Sequence, residues 1–240
     1  KDEEEGGSTY SVNAIGLQIA LDGVSIVVHP SIDFVDCLTV EELKNIWGPD
    51  SDIDNWNKVR TAFPNKPLTL YGPTPVNPKD IRLGGSGTYD YFTENVIGVL
   101  RSSRLDFTSA ADPNILVENV SNDENALGYF AYGFYSQNQD KLKLLAVDSG
   151  EGCVSPSQAT IGSTYPLSRP LFVYINIGPR GPMGFGGSIF NPAVAAFLNF
   201  YLSNPNLISQ AGYVPATDEV YQEGKDTVIS KTTRGGAGYN

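Results

Sequence analysis

Two apolar runs near the start of the chain restrict its fold more than any other feature. The sequence is strand-like from Val12 to Val28, and the runs Ile15–Leu21 and Gly23–Val28 meet at Asp22-Gly23, where we expect a turn or bulge. Near-continuous apolar runs are typical of strands that are covered on both faces, as in α/β proteins. The run Leu171–Ile177 is strongly β-prone and predicts another strand.

Helix signals alternate with these strands. Thr39-Val-Glu-Glu42 is a capping box, and Asp112-Pro113 and Asn191-Pro192 each place an N-cap residue before a proline. The spacing of apolar residues predicts a further helix over 88–100. The alternation of strands and helices predicts α/β layers.

Charge and composition exclude several classes of protein. The 240 residues include 16 basic and 27 acidic ones, so the net charge of −11 argues against nucleic acid as a partner. A small anion remains possible, because local dipoles and one arginine can oppose the global field. No apolar run reaches the roughly 18 residues of a membrane span. We expect residues 1–8 and 232–240 to be tails, and a signal peptide to have been removed or to lie before Lys1.

One turn combines the groups that bind an oxyanion. In Arg82-Leu-Gly-Gly-Ser86-Gly87-Thr88, a cation, two hydroxyls and backbone N–H groups come together before a predicted helix. Glycine at 85 and 87 lets the backbone approach a ligand closely. This segment, the anion turn, is predicted to bind phosphate, although its spacing also fits an ordinary capped helix. Neither GxxxxGK[ST] nor GxGxxG occurs in the sequence.

Other candidate sites match their motifs poorly. Asp50–Asp54 begins like a calcium loop, but Asn55 and Thr61 replace the expected glycine and glutamate. The only histidine is His29, and the sequence contains no GxSxG motif for a catalytic serine, so we do not predict an enzyme. Because the calcium loop matches poorly, we do not predict a metal site either. The aromatic run at 129–135 could stack on a sugar ligand, but we interpret it as packing.

The two cysteines give no firm assignment by themselves. Cys37 and Cys153 lie far apart in the sequence and outside any CxxC motif. The spacing alone does not decide whether they form a disulfide or remain two free thiols.

Six stretches, in the same order, resemble the PstS family, the phosphate-binding proteins of ABC-type phosphate import. They are Ala20–Val28, Leu38–Trp47, Gly85–Glu94, Ala126–Phe130, Gly152–Pro156 and Tyr165–Tyr174. The resemblance implies a type II periplasmic-binding-protein-like α/β fold, in which two lobes joined by a hinge close over inorganic phosphate in the cleft between them. It also implies the importer's permease as a partner, no cofactor, and a periplasmic or extracellular location, with membrane anchoring before processing left open.

The resemblance also assigns residues and lobes. It implies Arg82, Ser86, Gly87 and Thr88 as phosphate ligands and a Cys37–Cys153 disulfide near the hinge. It places lobe 1 at 9–28 with 148–231, and lobe 2 at 29–147.

Two departures from the family qualify this assignment. Gly84 stands where some members carry an acidic residue that orients the arginine. The family's opening βαβ segment, which supplies the rest of the cleft and a carboxylate acceptor, has no counterpart before Ile15. We therefore expect an incomplete first lobe, weak oxyanion binding and a complementary N-terminal chain or fragment as a partner. The alternative is an interaction or structural protein that has lost transport, which the Gly178–Gly187 loop also suggests.

Overall fold

The structure is a computed structural model that describes residues 14–75, 85–177 and 191–233. The chain divides into two compact units. Unit 2 consists of Leu21–Arg169 and Ser209–Val214, and unit 1 of the described parts of Lys1–Ala20, Pro170–Ile208 and Pro215–Asn240. No described helix is long and apolar enough to cross a membrane.

Unit 2 contains most of the strands and helices. In chain order, after the start of β1 (Ala14–Val28), they are β2 (Cys37–Thr39), α1 (Val40–Trp47), α2 (Trp56–Val59), β3 (Thr69–Pro73), α3 (Gly87–Phe92), a π-helical turn (Thr93–Ile97), β4 (Thr108–Ala110), α4 (Pro113–Asn122), β5 (Ala126–Ala131), α5 (Tyr132–Ser136), β6 (Lys143–Asp148), β7 (Cys153–Val154) and the first residues of β8 (Ser168–Asn176).

The sheet of unit 2 has the strand order β2-β6-β1-β5-β3-β4, and β7 also pairs with β6. β1 is antiparallel to both neighbours, with Val28 opposite Leu127 of β5 and Lys143 of β6. β3 is parallel to β4 and β5. Val27 and Val28 are fully buried, so this end of β1 is covered on both faces, as the apolar run predicts.

β1 corrects one expectation. The turn that we considered at Asp22-Gly23 is wrong, because β1 continues through both residues, and the alternative of a bulge stays a prediction. The Asp22 carboxylate is buried and accepts a hydrogen bond from the Gly23 N–H, so a polar residue is accommodated inside the strand. Gly23 serves close packing, because a Cβ at this position would lie 2.9 Å from Ile161 Cδ1.

The predicted helix starts are confirmed at their caps. Thr39 and Glu42 form both bonds of the capping box at α1, and Asp112 caps α4. The helix predicted over 88–100 begins at Gly87, becomes π-helical after Phe92 and ends at Gly98, whose φ of 87° terminates it.

Unit 1 is built on the first part of β1, most of β8, and three helices. These are α6 (Pro192–Leu202), α7 (Pro205–Gln210), whose first residues belong here, and α8 (Asp218–Thr233). β8 pairs with β1. The hydrophobic core of unit 1 includes Leu17, Ile175, Leu198 and Val228. The strand predicted at Leu171–Ile177 and the helix predicted after Asn191 are therefore present.

Four aromatic side chains of unit 1 are exposed. Phe172 and Tyr174 of β8 are 45% and 71% exposed, and Phe197 and Phe200 of α6 are 58% and 57% exposed. We call these four residues the exposed aromatic residues. Single exposed apolar residues are ordinary, but several together indicate a surface that another chain can cover.

The predicted lobe boundaries stay a prediction, because lobes are defined by motion about a hinge. The Gly178–Gly187 loop, the 1–8 tail and residues 234–240 lie outside the described residues. The prediction that the final tail begins at residue 232 is wrong, because α8 continues to Thr233.

Candidate anion site

The anion turn leads directly into α3. Ser86 is the N-cap, and its Oγ accepts a hydrogen bond from the Thr88 N–H at 3.2 Å. The Ser86 N–H donates to the Thr74 carbonyl at 3.3 Å. The Ser86 and Thr88 N–H groups, two of the backbone donors expected to converge on a ligand, are thus engaged within the chain. The Gly87 N–H has no acceptor within 14–75, 85–177 and 191–233.

Gly87 also faces open space. A Cβ built on it would meet no heavy atom within 4 Å, and its φ lies outside the left-handed region. Neither packing nor backbone conformation therefore requires a glycine here. A residue without a side chain at an open N–H is what close approach of a ligand to the backbone requires.

Thr88 is held by an arginine from a distant part of unit 2. Its side chain is buried, and its Oγ1 accepts a hydrogen bond from Arg169 Nη2 at 2.9 Å. Arg169 Nη1 donates to the Gly87 carbonyl at 2.9 Å. The guanidinium thus contacts both residues that begin α3.

Asp22 fixes the other edge of this guanidinium. Its Oδ2 accepts hydrogen bonds from Arg169 Nε at 3.1 Å and Nη2 at 2.8 Å, and its side chain is 1% exposed. Burial raises the pKa of the Asp22 carboxyl above its usual range, and Arg169 together with the Gly23 and Tyr132 N–H groups offsets part of that rise. The Arg169 guanidinium lies over the Tyr91 ring, 5.5 Å from its centroid.

Aromatic packing anchors α3 to the sheet of unit 2. Phe92 stacks on Tyr129 of β5 with centroids 4.0 Å apart, and Trp47 of α1 meets both rings edge-on. Arg101 Nη2 binds Asp90 of α3 at 2.9 Å. Packing, rather than ligand stacking, is thus the role observed for Tyr129.

The structure brings together three of the four predicted ligands and adds two residues that sequence reasoning missed. Ser86, Gly87 and Thr88 are consecutive, whereas Arg82 lies outside the described residues. Asp22 and Arg169 are 147 positions apart, so no local pattern could pair them. The available signal was a lone carboxylate within an apolar run, which we interpreted as a turn.

The remaining candidates have structural roles. Cys37 and Cys153 form the disulfide that the resemblance implied, and it links β2 and β7, which both pair with the end of β6. Asp54 and Asp52 form exposed ion pairs with Lys58, and no acidic, cysteine or histidine cluster suited to a metal occurs in the described part of the chain. His29 Nδ1 contacts Ser31 Oγ at 2.7 Å in an exposed turn.

Sequence comparison finds a family and several relatives. Residues 1–205 match a PBP superfamily domain. The protein SphX of Synechocystis is 39% identical over 219 residues, which cover 89% of this chain and 60% of that protein. The phosphate-binding protein PstS of Staphylococcus saprophyticus is 35% identical over 226 residues, which cover 90% and 63%. The chain thus spans about 60% of the length of these curated relatives.

Solved structures agree with this result. A possible phosphate-binding protein from Planctomyces limnophilus has a TM-score of 0.71 and 34% identity, covering 92% of this chain and 73% of that one. An ABC-type phosphate transport receptor from Vibrio cholerae has a TM-score of 0.61 over 90% of this chain and 77% of its own, and its 19% identity supports likeness of fold alone.

Proposed function

The chain belongs to the PBP superfamily, and from that premise we propose that it is part of the phosphate-binding receptor of an ABC-type phosphate importer. The observation that carries the proposal is the open start of α3. There the Gly87 N–H lacks an acceptor among the described residues and no side chain covers the backbone. The similarity to PstS, a phosphate-binding protein, and to a possible phosphate-binding protein of known structure supports phosphate as the anion.

The proposed ligands are Arg82, Ser86, Gly87 and Thr88. The Ser86 and Thr88 hydroxyls each accept one hydrogen bond from the protein and keep a proton to donate. Arg82 would add a charge-assisted bond, which is among the stronger contacts a phosphate oxygen can receive. Such local donors are needed because the chain as a whole carries a net charge of −11.

We propose further that a companion segment, equivalent to the opening part of the longer relatives, completes the receptor. The exposed aromatic residues of unit 1 support this, because exposed rings suit an apolar partner. The companion would supply the carboxylate that accepts the phosphate proton and repels sulfate. The alternative, an interaction protein that has lost transport, is less well supported, because the relatives of this chain include PstS, a phosphate-binding protein.

The same proposal covers the setting of the protein. It would act outside the cytoplasm, in the periplasm or at the cell surface, and deliver phosphate to the importer's permease. Membrane anchoring before processing belongs to this proposal. We assign no catalytic role to any residue.

Isothermal titration calorimetry with inorganic phosphate tests this function. The protein completed by its companion should bind phosphate, and Arg82→Ala should weaken binding about 10–100-fold, the range for a lost hydrogen bond to a charged group. Arg60→Ala is the matched control, because Arg60 pairs with Glu42 and contacts no residue described in the anion turn. Equal affinity of Arg82→Ala and the parent would remove the site assignment.

A further inference from the structure

The Asp22–Arg169 pair lies beside the start of α3, and the proposed ligand set does not use it. We infer that Arg169, fixed by Asp22, is a positioning residue that sets the Thr88 hydroxyl as a donor toward the anion. This inference rests on the proposed function and adds a residue to its site. It begins from one contact, the 2.9 Å bond from Arg169 Nη2 to Thr88 Oγ1.

That contact decides the direction of the Thr88 proton. A guanidinium has donors only, so Thr88 Oγ1 must accept from Arg169, and its own O–H points elsewhere. The structure gives that proton no acceptor among the described residues. A hydroxyl in this state requires an external acceptor, and an oxyanion supplies one.

The geometry of the guanidinium requires arginine. One planar group spans three partners: the Asp22 carboxylate, the Gly87 carbonyl and the Thr88 hydroxyl. A lysine ammonium is a compact point charge on a flexible stem and cannot reproduce this fork. The Tyr91 ring covers one face of the guanidinium, and Tyr91 Oη donates to the Ser168 carbonyl at 2.7 Å beside it.

Asp22 makes the arrangement rigid. The Asp22 and Arg169 side chains are 1% and 16% exposed, and Asp22 Oδ1 accepts from the Gly23 N–H at 2.9 Å. Each oxygen of the buried carboxylate therefore has a partner, so the pair has little freedom to rearrange. Because Asp22 balances its charge, Arg169 acts by orienting Thr88 rather than by adding net positive charge.

The test is a double-mutant cycle measured by phosphate calorimetry on the intact protein, which is this chain completed by its companion. Arg169→Lys keeps the charge and should weaken phosphate binding about 10-fold, and Thr88→Val should weaken it by a similar factor. If Arg169 acts through the Thr88 hydroxyl, Arg169→Lys should have little further effect in the Thr88→Val background. A purely structural role would not give this non-additivity. Arg60→Lys, which alters an ion-paired arginine elsewhere in unit 2, is the control and should bind like the parent.

A second variant guards against misfolding. Arg169→Met together with Asp22→Asn removes both charges, which a fold tolerates better than one unpaired buried charge. It should unfold cooperatively and still bind phosphate more weakly than the parent. The inference is overturned if Arg169→Lys binds like the parent, or if its effect is undiminished in the Thr88→Val background. A parent that fails to bind phosphate overturns the proposed function itself, which is a separate result.

Discussion

At the scale of single residues, Gly87 separates the two interpretations of the anion turn. A capped helix start has no use for a glycine with ordinary φ and open space around it, whereas a backbone ligand site does. We expect Gly87→Ala to leave the free energy of unfolding unchanged or to raise it by up to about 1 kcal/mol, since alanine favours helix. We expect the same change to weaken phosphate binding, because a methyl group would obstruct the approach to the N–H.

Urea unfolding and phosphate calorimetry on the same preparation measure both effects. Gly98→Ala is the contrasting variant, because Gly98 has a φ of 87° and alanine there should cost stability. If Gly87→Ala keeps full phosphate affinity, the open N–H is not a ligand contact.

Sequence reasoning at this scale located the capped start of α3, because that signal is local, and the ligand roles of its residues stay a prediction. Ser86, Gly87 and Thr88 are adjacent, and a hydroxyl before a helix is visible in the sequence itself. The Asp22–Arg169 pair is invisible there, because two residues 147 positions apart meet only after the sheet has formed.

At the scale of elements, the start of α1 predicts a pH dependence of stability. Burial alone would raise the pKa of Glu42, but hydrogen bonds from Arg60 and Thr39 outweigh it and hold the pKa below the usual 4.5. A lowered pKa in the folded state means that Glu42 stabilises the fold above about pH 4.5. That contribution is lost as the pH falls through the folded value.

Glu42→Gln should therefore narrow the difference in unfolding free energy between pH 7 and about pH 3.5, measured by urea titration. Glu41→Gln is the matched control in the same helical turn, since Glu41 makes no side-chain hydrogen bond within the described residues. An equal narrowing in both variants would show that the Arg60 and Thr39 contacts are not the cause.

The disulfide gives a second prediction for elements. It joins β2 to β7 across a sequence separation of 116, and a closed loop of this length restricts the unfolded chain strongly. Replacing Cys37 and Cys153 together by serine should lower the free energy of unfolding by about 2–5 kcal/mol. Urea unfolding with and without a reductant checks this. A parent whose stability does not change on reduction would contradict it.

Local signals also explain which elements were predicted correctly. Helix starts at Thr39, Asp112 and Asn191 were found because caps are short-range hydrogen bonds written into consecutive residues. The turn expected at Asp22-Gly23 was wrong because a tertiary ion pair, rather than the local sequence, satisfies the carboxylate.

At the scale of the whole molecule, the family resemblance and the α/β fold predicted from six motifs are confirmed. Motif order succeeds here because a fold constrains many positions at once. Lobe motion and the companion segment remain predictions, since neither is encoded in one stretch of sequence.

The exposed aromatic residues of unit 1 predict a surface property of the chain. Without a companion, it should bind an apolar dye such as anilinonaphthalene sulfonate, because exposed rings offer an apolar surface. Phe197→Ser with Phe200→Ser should lower the dye fluorescence while the chain stays folded, since both side chains are more than half exposed. Unchanged fluorescence would show that the dye site, and the surface proposed for the companion, lies elsewhere.

The most direct test of the central claim follows the amide resonances of the anion turn during a phosphate titration. In a ¹⁵N-labelled intact protein, the Gly87 amide should shift saturably as its N–H gains an acceptor, and Thr88 should follow. Thr88→Val should move the midpoint to higher phosphate concentration. Saturable phosphate binding that leaves the Gly87 and Thr88 resonances unmoved would contradict the account.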